Sequence, residues 1–252
     1  MMDWSIFEYE NDYILKTKEK TEDIPFYKFR PKDQSGILPT VVYYHGWSSN
    51  KQLKIFTAQI IASYGYQVIV PDSLYHGERN PIDNYDAINL EKYILEVLFK
   101  TIGESKSFID NIIKHHNADA NRICIMGSSM GSFSSGAIFI SNSDLKCLVG
   151  FNGSFSLKDI IEKKGKAFYD GHVKKYDPIN NLDKLNDRAI LMLHGKEDAI
   201  VPIECQRNFF NEAKNYYQNC SDRLQLIESS GLNHQTSVTM LQNTITFLKN
   251  FL

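Results

Sequence analysis

Three segments of the sequence carry side chains that together could cleave an acyl bond. Gly127-Ser128-Ser129-Met130-Gly131 fits the pattern G-x-S-x-G, in which a serine occupies a sharp turn between a strand and a helix. Asp198 and His234 each follow a later apolar run. A serine hydroxyl is a weak nucleophile at neutral pH, so it needs an adjacent base. We therefore predict that Ser129 is the nucleophile, His234 its base and Asp198 the acid that orients the histidine.

The context of Ser129 favours this interpretation over an ordinary turn of glycine and serine. A buried strand is expected over residues 122–126, and a helix of small residues over residues 132–140. The order Ser, Asp, His along the chain is the one expected when each member follows a different strand of such a fold. Asp198 or His234 alone would be unremarkable in a loop, so the prediction depends on their combination.

An attacked carbonyl oxygen also needs hydrogen-bond donors that are fixed in advance. Met130 follows the nucleophile directly and can supply one backbone N–H. Trp47, in the segment Tyr44-His45-Gly46-Trp47, can supply a second. We predict an oxyanion hole from these two N–H groups, and we expect His45 to make structural hydrogen bonds rather than to act in catalysis.

A common framework must bring these residues together, and strand-like and helix-like segments alternate from about residue 40 to the C-terminus. This pattern predicts an α/β fold with a mostly parallel central sheet and helices on both faces. Helical spacing of apolar residues covers 90–102, 107–115 and 237–252. The expected strands cover residues 40–44, 67–70, 122–126, 145–151, 189–193 and 224–227.

Two segments stand outside this alternation. Within residues 1–38, two strand-like runs (12–18 and 26–30) are expected to pair antiparallel at one edge of the sheet. Residues 155–185 are rich in Lys, Tyr and Asp, and we interpret them as a short lid-like insertion over the sheet edge. A length of 252 residues is common for one α/β domain, so we predict a single domain over residues 1–252.

The substrate pocket is expected where loops cover the carboxyl edge of the sheet. Four aromatic residues are candidates to line it: Trp47, Tyr75, Phe155 and Tyr169. The alternative is that these side chains only anchor the insertion to the body of the protein. Because the insertion is short, we expect small or medium esters to be preferred over long-chain lipids.

Composition excludes several other classes of function. A net charge of −2 gives no basic excess for nucleic-acid binding. The four cysteines and seven histidines show no metal-ligand spacing, so we expect no metal and no cofactor. The first 20 residues lack the apolar core of a signal peptide, and no apolar run is long enough for a membrane span. We expect a cytoplasmic enzyme with a small-molecule ester substrate, no nucleic-acid or membrane partner, and a possible homodimer.

Several segments together resemble the esterase branch of the α/β-hydrolase superfamily that is related to dienelactone hydrolases and prolyl-oligopeptidase-like peptidases. They are the segments around Trp47, Ser129, Asp198 and His234, together with Asp72-Ser73-Leu74-Tyr75-His76-Gly77-Glu78-Arg79. The last of these is similar to the D-x-x-x-H-G-x-R loop of small bacterial carboxylesterases. The resemblance implies the α/β-hydrolase fold, the same triad and the same oxyanion hole. Dienelactone hydrolases use a cysteine nucleophile, so that particular activity is not expected here.

The function favoured by the sequence is that of a serine carboxylesterase that acts through an acyl-enzyme intermediate on Ser129. Thioesterase, acyltransferase and aminopeptidase-like amidase activities would use the same triad and remain alternatives. The least favoured hypothesis is a ligand-binding protein that has the fold but no catalytic activity, because no member of the triad is missing.

Overall fold

An eight-stranded sheet forms the centre of the protein in a computed structural model that describes residues 11–161 and 171–252. The strands are β1 (Ile14–Thr21), β2 (Ile24–Pro31), β3 (Leu38–Tyr44), β4 (Gln67–Pro71), β5 (Ala118–Ser128), β6 (Cys147–Phe151), β7 (Ala189–Gly195) and β8 (Leu224–Ser229). The helices are α1 (Ile55–Ala62), α2 (Ala87–His115), α3 (Met130–Ser141), α4 (Lys158–Ile161), α5 (Gly171–Lys174), α6 (Ile203–Ala213) and α7 (Val238–Phe251).

The strand order is β1-β2-β4-β3-β5-β6-β7-β8. β1 pairs antiparallel with β2, and β2 pairs antiparallel with β4, whereas the pairs from β4 to β8 are parallel. The predicted α/β class and mostly parallel sheet are therefore confirmed. Parallel pairing brings the carboxyl ends of β3, β5, β7 and β8 to one edge of the sheet, where the candidate site residues follow.

The sheet is covered on both faces because successive side chains of each strand point to opposite sides. On β3, Val42 and Tyr44 belong to one buried apolar cluster, which also contains residues of α2 and α3. Val41 and Tyr43 belong to a second cluster, which contains residues of α1 and α7. Strands buried on both faces read as continuous apolar runs, which is why these segments were recognisable in the sequence.

The sequence predicted two helical segments over 90–102 and 107–115, but the structure has one continuous helix, α2. The residues between the two predicted segments are helical as well; Ser105 is buried there, and its hydroxyl donates to the Ile102 carbonyl at 2.7 Å. The apolar stripe thus continues from Ile102 to Phe108 without leaving the core. At the start of α2, the Asp86 carboxylate accepts the Asn89 N–H and caps the helix.

The described ends of the lid-like insertion are tied to each other by a buried carboxylate. Asp177 accepts the backbone N–H groups of Leu157 and Lys158 at 3.0 and 2.8 Å. These bonds hold the first residues of the insertion against the segment through which the chain leads back to β7. No helix among the described residues has the length and apolar character that a membrane crossing requires.

Candidate active site

Ser129 occupies the turn between β5 and α3 in a conformation that few non-glycine residues adopt. Its φ is 52° and its ψ −118°, and its N–H donates to the Phe151 carbonyl on β6 at 2.8 Å. Cβ atoms built on the flanking glycines would clash with backbone: at Gly127 one would lie 2.2 Å from the Gly131 oxygen, and at Gly131 one would lie 2.2 Å from the Tyr44 oxygen. Both glycines are thus required by close packing, and the strain at Ser129 is held by its surroundings.

Asp198 and His234 form a hydrogen-bonded pair at the carboxyl ends of β7 and β8. The Nδ1 atom of His234 lies 2.8 Å from Oδ2 and 3.0 Å from Oδ1 of Asp198. The Asp198 side chain is fully buried, whereas 24% of the His234 side chain is exposed. The N–H groups of Ile200 and Val201 each donate to Oδ1 at 2.9 Å. This arrangement fixes the carboxylate and leaves the other ring nitrogen of His234 available for a proton.

His194, the second-to-last residue of β7, also contacts this carboxylate, which the sequence interpretation missed. Its Nε2 lies 2.8 Å from the Val201 carbonyl oxygen and 3.2 Å from Asp198 Oδ2. Burial lowers the pKa of His194, so the ring is neutral, and both neighbours of Nε2 are acceptors, so Nε2 carries the proton. The available sequence signal was its position four residues before Asp198, at the end of the same strand.

A cavity of about 700 Å³ opens at this edge of the sheet, and both Ser129 and His234 line it. Gly46, Trp47 and Met130 line the same cavity. The three triad members and the two residues predicted for the oxyanion hole are therefore brought to one place. One wall of the cavity is apolar and includes Leu90, Ile94, Phe133 and Ile160, which the sequence had not singled out.

The two predicted oxyanion donors flank the nucleophile. Met130 is the first residue of α3, so its N–H has no acceptor within the helix. On the other side, a Cβ built on Gly46 would come within 3.3 Å of the Ser129 Cβ, which shows how closely the loop after β3 passes the serine. The indole N–H of Trp47 donates to the Tyr85 carbonyl at 3.0 Å and holds that loop in place.

His45 has the structural role expected of it. Its Nε2 accepts the Ser73 N–H at 3.0 Å, and its Nδ1 lies 2.8 Å from the Gly46 carbonyl oxygen. Burial lowers the pKa of His45 well below its usual range, so the ring stays neutral and both nitrogens are used. His45 thereby joins the Trp47 loop to the chain that leaves β4.

The Asp72 to Arg79 segment is a scaffold behind the Trp47 loop. Asp72 is buried and accepts the backbone N–H groups of Lys51 and Glu78 at 2.9 and 3.0 Å, and it also pairs with the Lys51 ammonium group. Arg79 makes two hydrogen bonds with the Glu104 carboxylate at 2.8 and 3.0 Å. These contacts fix the segment at both ends and account for Asp72 and Arg79 as structural residues.

The four aromatic residues predicted to bind substrate lie in different places. Trp47 lines the cavity. Tyr75 does not, since its hydroxyl donates to Glu96 at 2.9 Å and its ring packs against Tyr93. Phe155 is fully buried away from the cavity, with its ring 5.5 Å from that of Phe209, so it anchors the insertion as the alternative stated. Tyr169 lies outside the described residues.

Known proteins resemble this chain in sequence or in fold. YitV of Bacillus subtilis (strain 168) is 24% identical over 91% of this chain and 96% of its own length. Esterase YjfP of Escherichia coli (strain K12) is 23% identical, also over 91% and 96%. A cold-adapted esterase from an Arctic intertidal metagenomic library superposes with a TM-score of 0.69, at 16% identity and full coverage of both chains.

Residues 34–252 match the phospholipase/carboxylesterase family. No group of three His, Cys, Asp or Glu side chains in the described part of the chain could hold a metal ion. The chain therefore belongs to the phospholipase/carboxylesterase family and is a serine hydrolase of carboxylic esters.

Proposed function

We propose that this protein hydrolyses small or medium carboxylic esters through an acyl-enzyme intermediate on Ser129. The observation that supports this most directly is the pairing of His234 with the buried Asp198 at the wall of the cavity that Ser129 also lines. A base held in one tautomer, in the same cavity as a strained serine, is the arrangement that acyl transfer requires.

In the proposed reaction, the Ser129 hydroxyl attacks the ester carbonyl while His234 accepts its proton. The backbone N–H groups of Met130 and Trp47 hydrogen-bond the oxygen that becomes negative. When the tetrahedral intermediate collapses, the bond to the alcohol breaks and His234 returns the proton to it. A water molecule then attacks the acyl-enzyme, with His234 again taking and returning a proton, and the carboxylic acid leaves. Asp198 stabilises the imidazolium in both halves.

The volume and the apolar wall of the cavity support small or medium acyl groups. Leu90 lines this wall, whereas Ile88 lies two residues earlier on the same helix and is 76% exposed. Leu90→Trp should therefore shorten the acyl chain that gives the highest kcat/KM. Ile88→Trp adds the same bulk outside the cavity and should leave the preferred length unchanged. An unaltered preference in both variants would place the acyl group elsewhere.

The central test is a chain-length series of p-nitrophenyl esters with the wild type, Ser129→Ala and the neighbouring variant Ser128→Ala. Loss of the nucleophile typically costs several orders of magnitude in kcat. Ser128 is a matched control because its hydroxyl has no hydrogen-bond partner among the described residues. Loss of activity in Ser129→Ala alone would support the proposal, and equal activity of Ser129→Ala and the wild type would reject it.

Ester, thioester and aminoacyl amide versions of one acyl group distinguish esterase from thioesterase and amidase activity. We expect the ester to have the highest kcat/KM. A clear preference for the thioester or amide would reassign the reaction while leaving the roles of the triad unchanged.

A further inference from the structure

Asp159, on the short helix α4, is an acidic residue that lines the catalytic cavity. Among the described residues, three acidic or basic side chains besides His234 line this cavity: Lys54, Glu91 and Asp159. Glu91 is exposed to solvent, whereas Asp159 is partly buried beside the apolar side chain of Ile160. Asp159 is therefore the acid that a bound substrate would meet within the cavity.

The described contacts of Asp159 offset its charge only in part. The Ser154 hydroxyl donates to Oδ2 at 2.6 Å, and the Cys205 thiol is a second donor. Among the described residues, the nearby charge of Lys158 lowers the pKa of Asp159, but burial raises it by more. An ionised carboxylate can accept about four hydrogen bonds, so these two neutral donors leave capacity for another partner.

The surroundings make the anionic form of this carboxyl group costly. Burial raises the pKa of Asp159, and the buried carboxylate of Asp177 raises it further. A cation placed beside Asp159 would offset both effects, because opposite charges attract more strongly where water is partly excluded. A neutral alkyl group at the same position would offset neither the effect of burial nor that of Asp177.

We propose that Asp159 is a specificity residue that recognises a positively charged ammonium group on the ester substrate. This rests on the proposed function, since Asp159 acts here on substrates of the Ser129 reaction. The competing role is purely structural: Asp159 would only hold Ser154, whose hydroxyl oxygen also accepts the Ser156 N–H at 3.0 Å. The two roles differ in whether the charge of the substrate matters.

The test uses pairs of esters that differ in charge and not in shape. One member carries a terminal trimethylammonium group and the other a terminal tert-butyl group, in matched acyl chains of p-nitrophenyl esters and in matched alcohols. We expect the wild type to prefer the charged member by about tenfold in kcat/KM, the factor that corresponds to 1.4 kcal/mol. Asp159→Asn, which retains an acceptor for Ser154, should bring the ratio close to one.

Glu91→Gln is the matched control, since it removes the same charge from an exposed position. Its charged-to-neutral ratio should stay within about twofold of the wild type, because exposed charges contribute little. A wild type that shows no preference for the charged ester would overturn the inference, and so would an Asp159→Asn variant that keeps the preference. In either case, hydrolysis of the neutral ester would still support the proposed function. Failure of the wild type to hydrolyse any member would overturn both.

A second measurement needs no variant and so does not depend on the folding of Asp159→Asn. Tetramethylammonium chloride should inhibit hydrolysis of the charged ester competitively and more strongly than sodium chloride at the same ionic strength. Equal inhibition by the two salts would contradict a cation site in the cavity.

Discussion

The Nε2 atom of His194 lies 3.2 Å from Oδ2 of Asp198, and both side chains are fully closed to solvent. The same carboxylate receives Nδ1 of His234 and the N–H groups of Ile200 and Val201. The acid of the triad is thus held by donors from its own loop, from the loop after β8 and from the end of β7. The orientation of the Asp198 carboxylate is set before any substrate binds, which lowers the free energy that the reaction must spend on reorganising the site.

His194→Ala should lower kcat by about tenfold, the factor that corresponds to about 1.4 kcal/mol, because the ring holds the Val201 carbonyl at 2.8 Å and lies 3.2 Å from the Asp198 carboxylate. KM for a neutral ester should change much less, since His194 does not line the cavity in the described part of the chain. His194→Gln keeps an N–H donor and should recover part of kcat. A parallel loss in both variants, or a change confined to KM, would show that His194 does not act through Asp198.

Asp198→Asn should lower kcat by about four orders of magnitude, the size of effect known when a triad aspartate becomes an amide. The amide carries no charge to stabilise the imidazolium and can favour the wrong histidine tautomer. Steady-state kinetics of the purified variant, with circular dichroism to show that it folds, measure the effect. Glu197→Gln alters the exposed neighbouring acid and should retain activity. Similar losses in the two variants would mean that the acid of the triad has been misassigned.

Gly131→Ala and Gly103→Ala should have opposite effects on the free energy of unfolding. A Cβ at Gly131 would lie 2.2 Å from the Tyr44 carbonyl oxygen, so the backbone must move, at a cost of about 1–3 kcal/mol or more. A Cβ at Gly103 in α2 would meet no atom within 4 Å, and alanine there should add about 0.5–1 kcal/mol of stability. Urea unfolding of both variants provides the measurement, and a tolerated Gly131→Ala would contradict the turn geometry described here.

The ion pairs of Glu78 should make the free energy of unfolding depend on pH under acidic conditions. Burial alone would raise the pKa of its carboxyl group, but the ammonium groups of Lys51 and Lys18, at 2.6 and 2.9 Å, outweigh burial and hold that pKa below its usual range. The stabilisation that ionised Glu78 gives the folded state is therefore complete above the unfolded-chain pKa of about 4.3. This stabilisation is lost as the pH falls through the lower folded-state pKa.

Glu78→Gln should accordingly melt below the wild type at neutral pH, and the gap should narrow at pH values below about 4. Thermal unfolding of both proteins at several pH values would measure the gap. A difference in Tm that stays constant across this range would show that the ion pairs of Glu78 add nothing to stability.

Those parts of the fold and site that depend on local pattern could be predicted from the sequence. The strand expected over residues 189–193 is β7, Ala189–Gly195, and the one expected over 224–227 is β8, Leu224–Ser229. Since parallel strands end at one edge, the loops after them had to bring Asp198 and His234 close together. The pairing followed from topology and needed no knowledge of side-chain packing.

The directions of side chains could not be predicted in this way. Phe155 was a candidate for the pocket, but the residue packs into space left by glycines on two other elements. A Cβ on Gly150 would lie 2.6 Å from the Phe155 ring, and one on Gly136 would lie 3.1 Å from the Phe155 backbone. The same ring packs against Phe209, far later in the chain, and no local pattern reports such a contact. His194 was missed for the same reason, because it contacts Asp198 only where the loop after β7 turns back toward the strand.

β8, the strand that precedes the loop of His234, lies at the rim of the sheet, where β7 is its one strand neighbour among the described residues. Five of its six residues are only partly buried. Backbone amides in such a position exchange with solvent through local opening well before the whole molecule unfolds. Deuterium uptake should therefore appear early in this strand, and warming should inactivate the enzyme while most of its sheet is still intact.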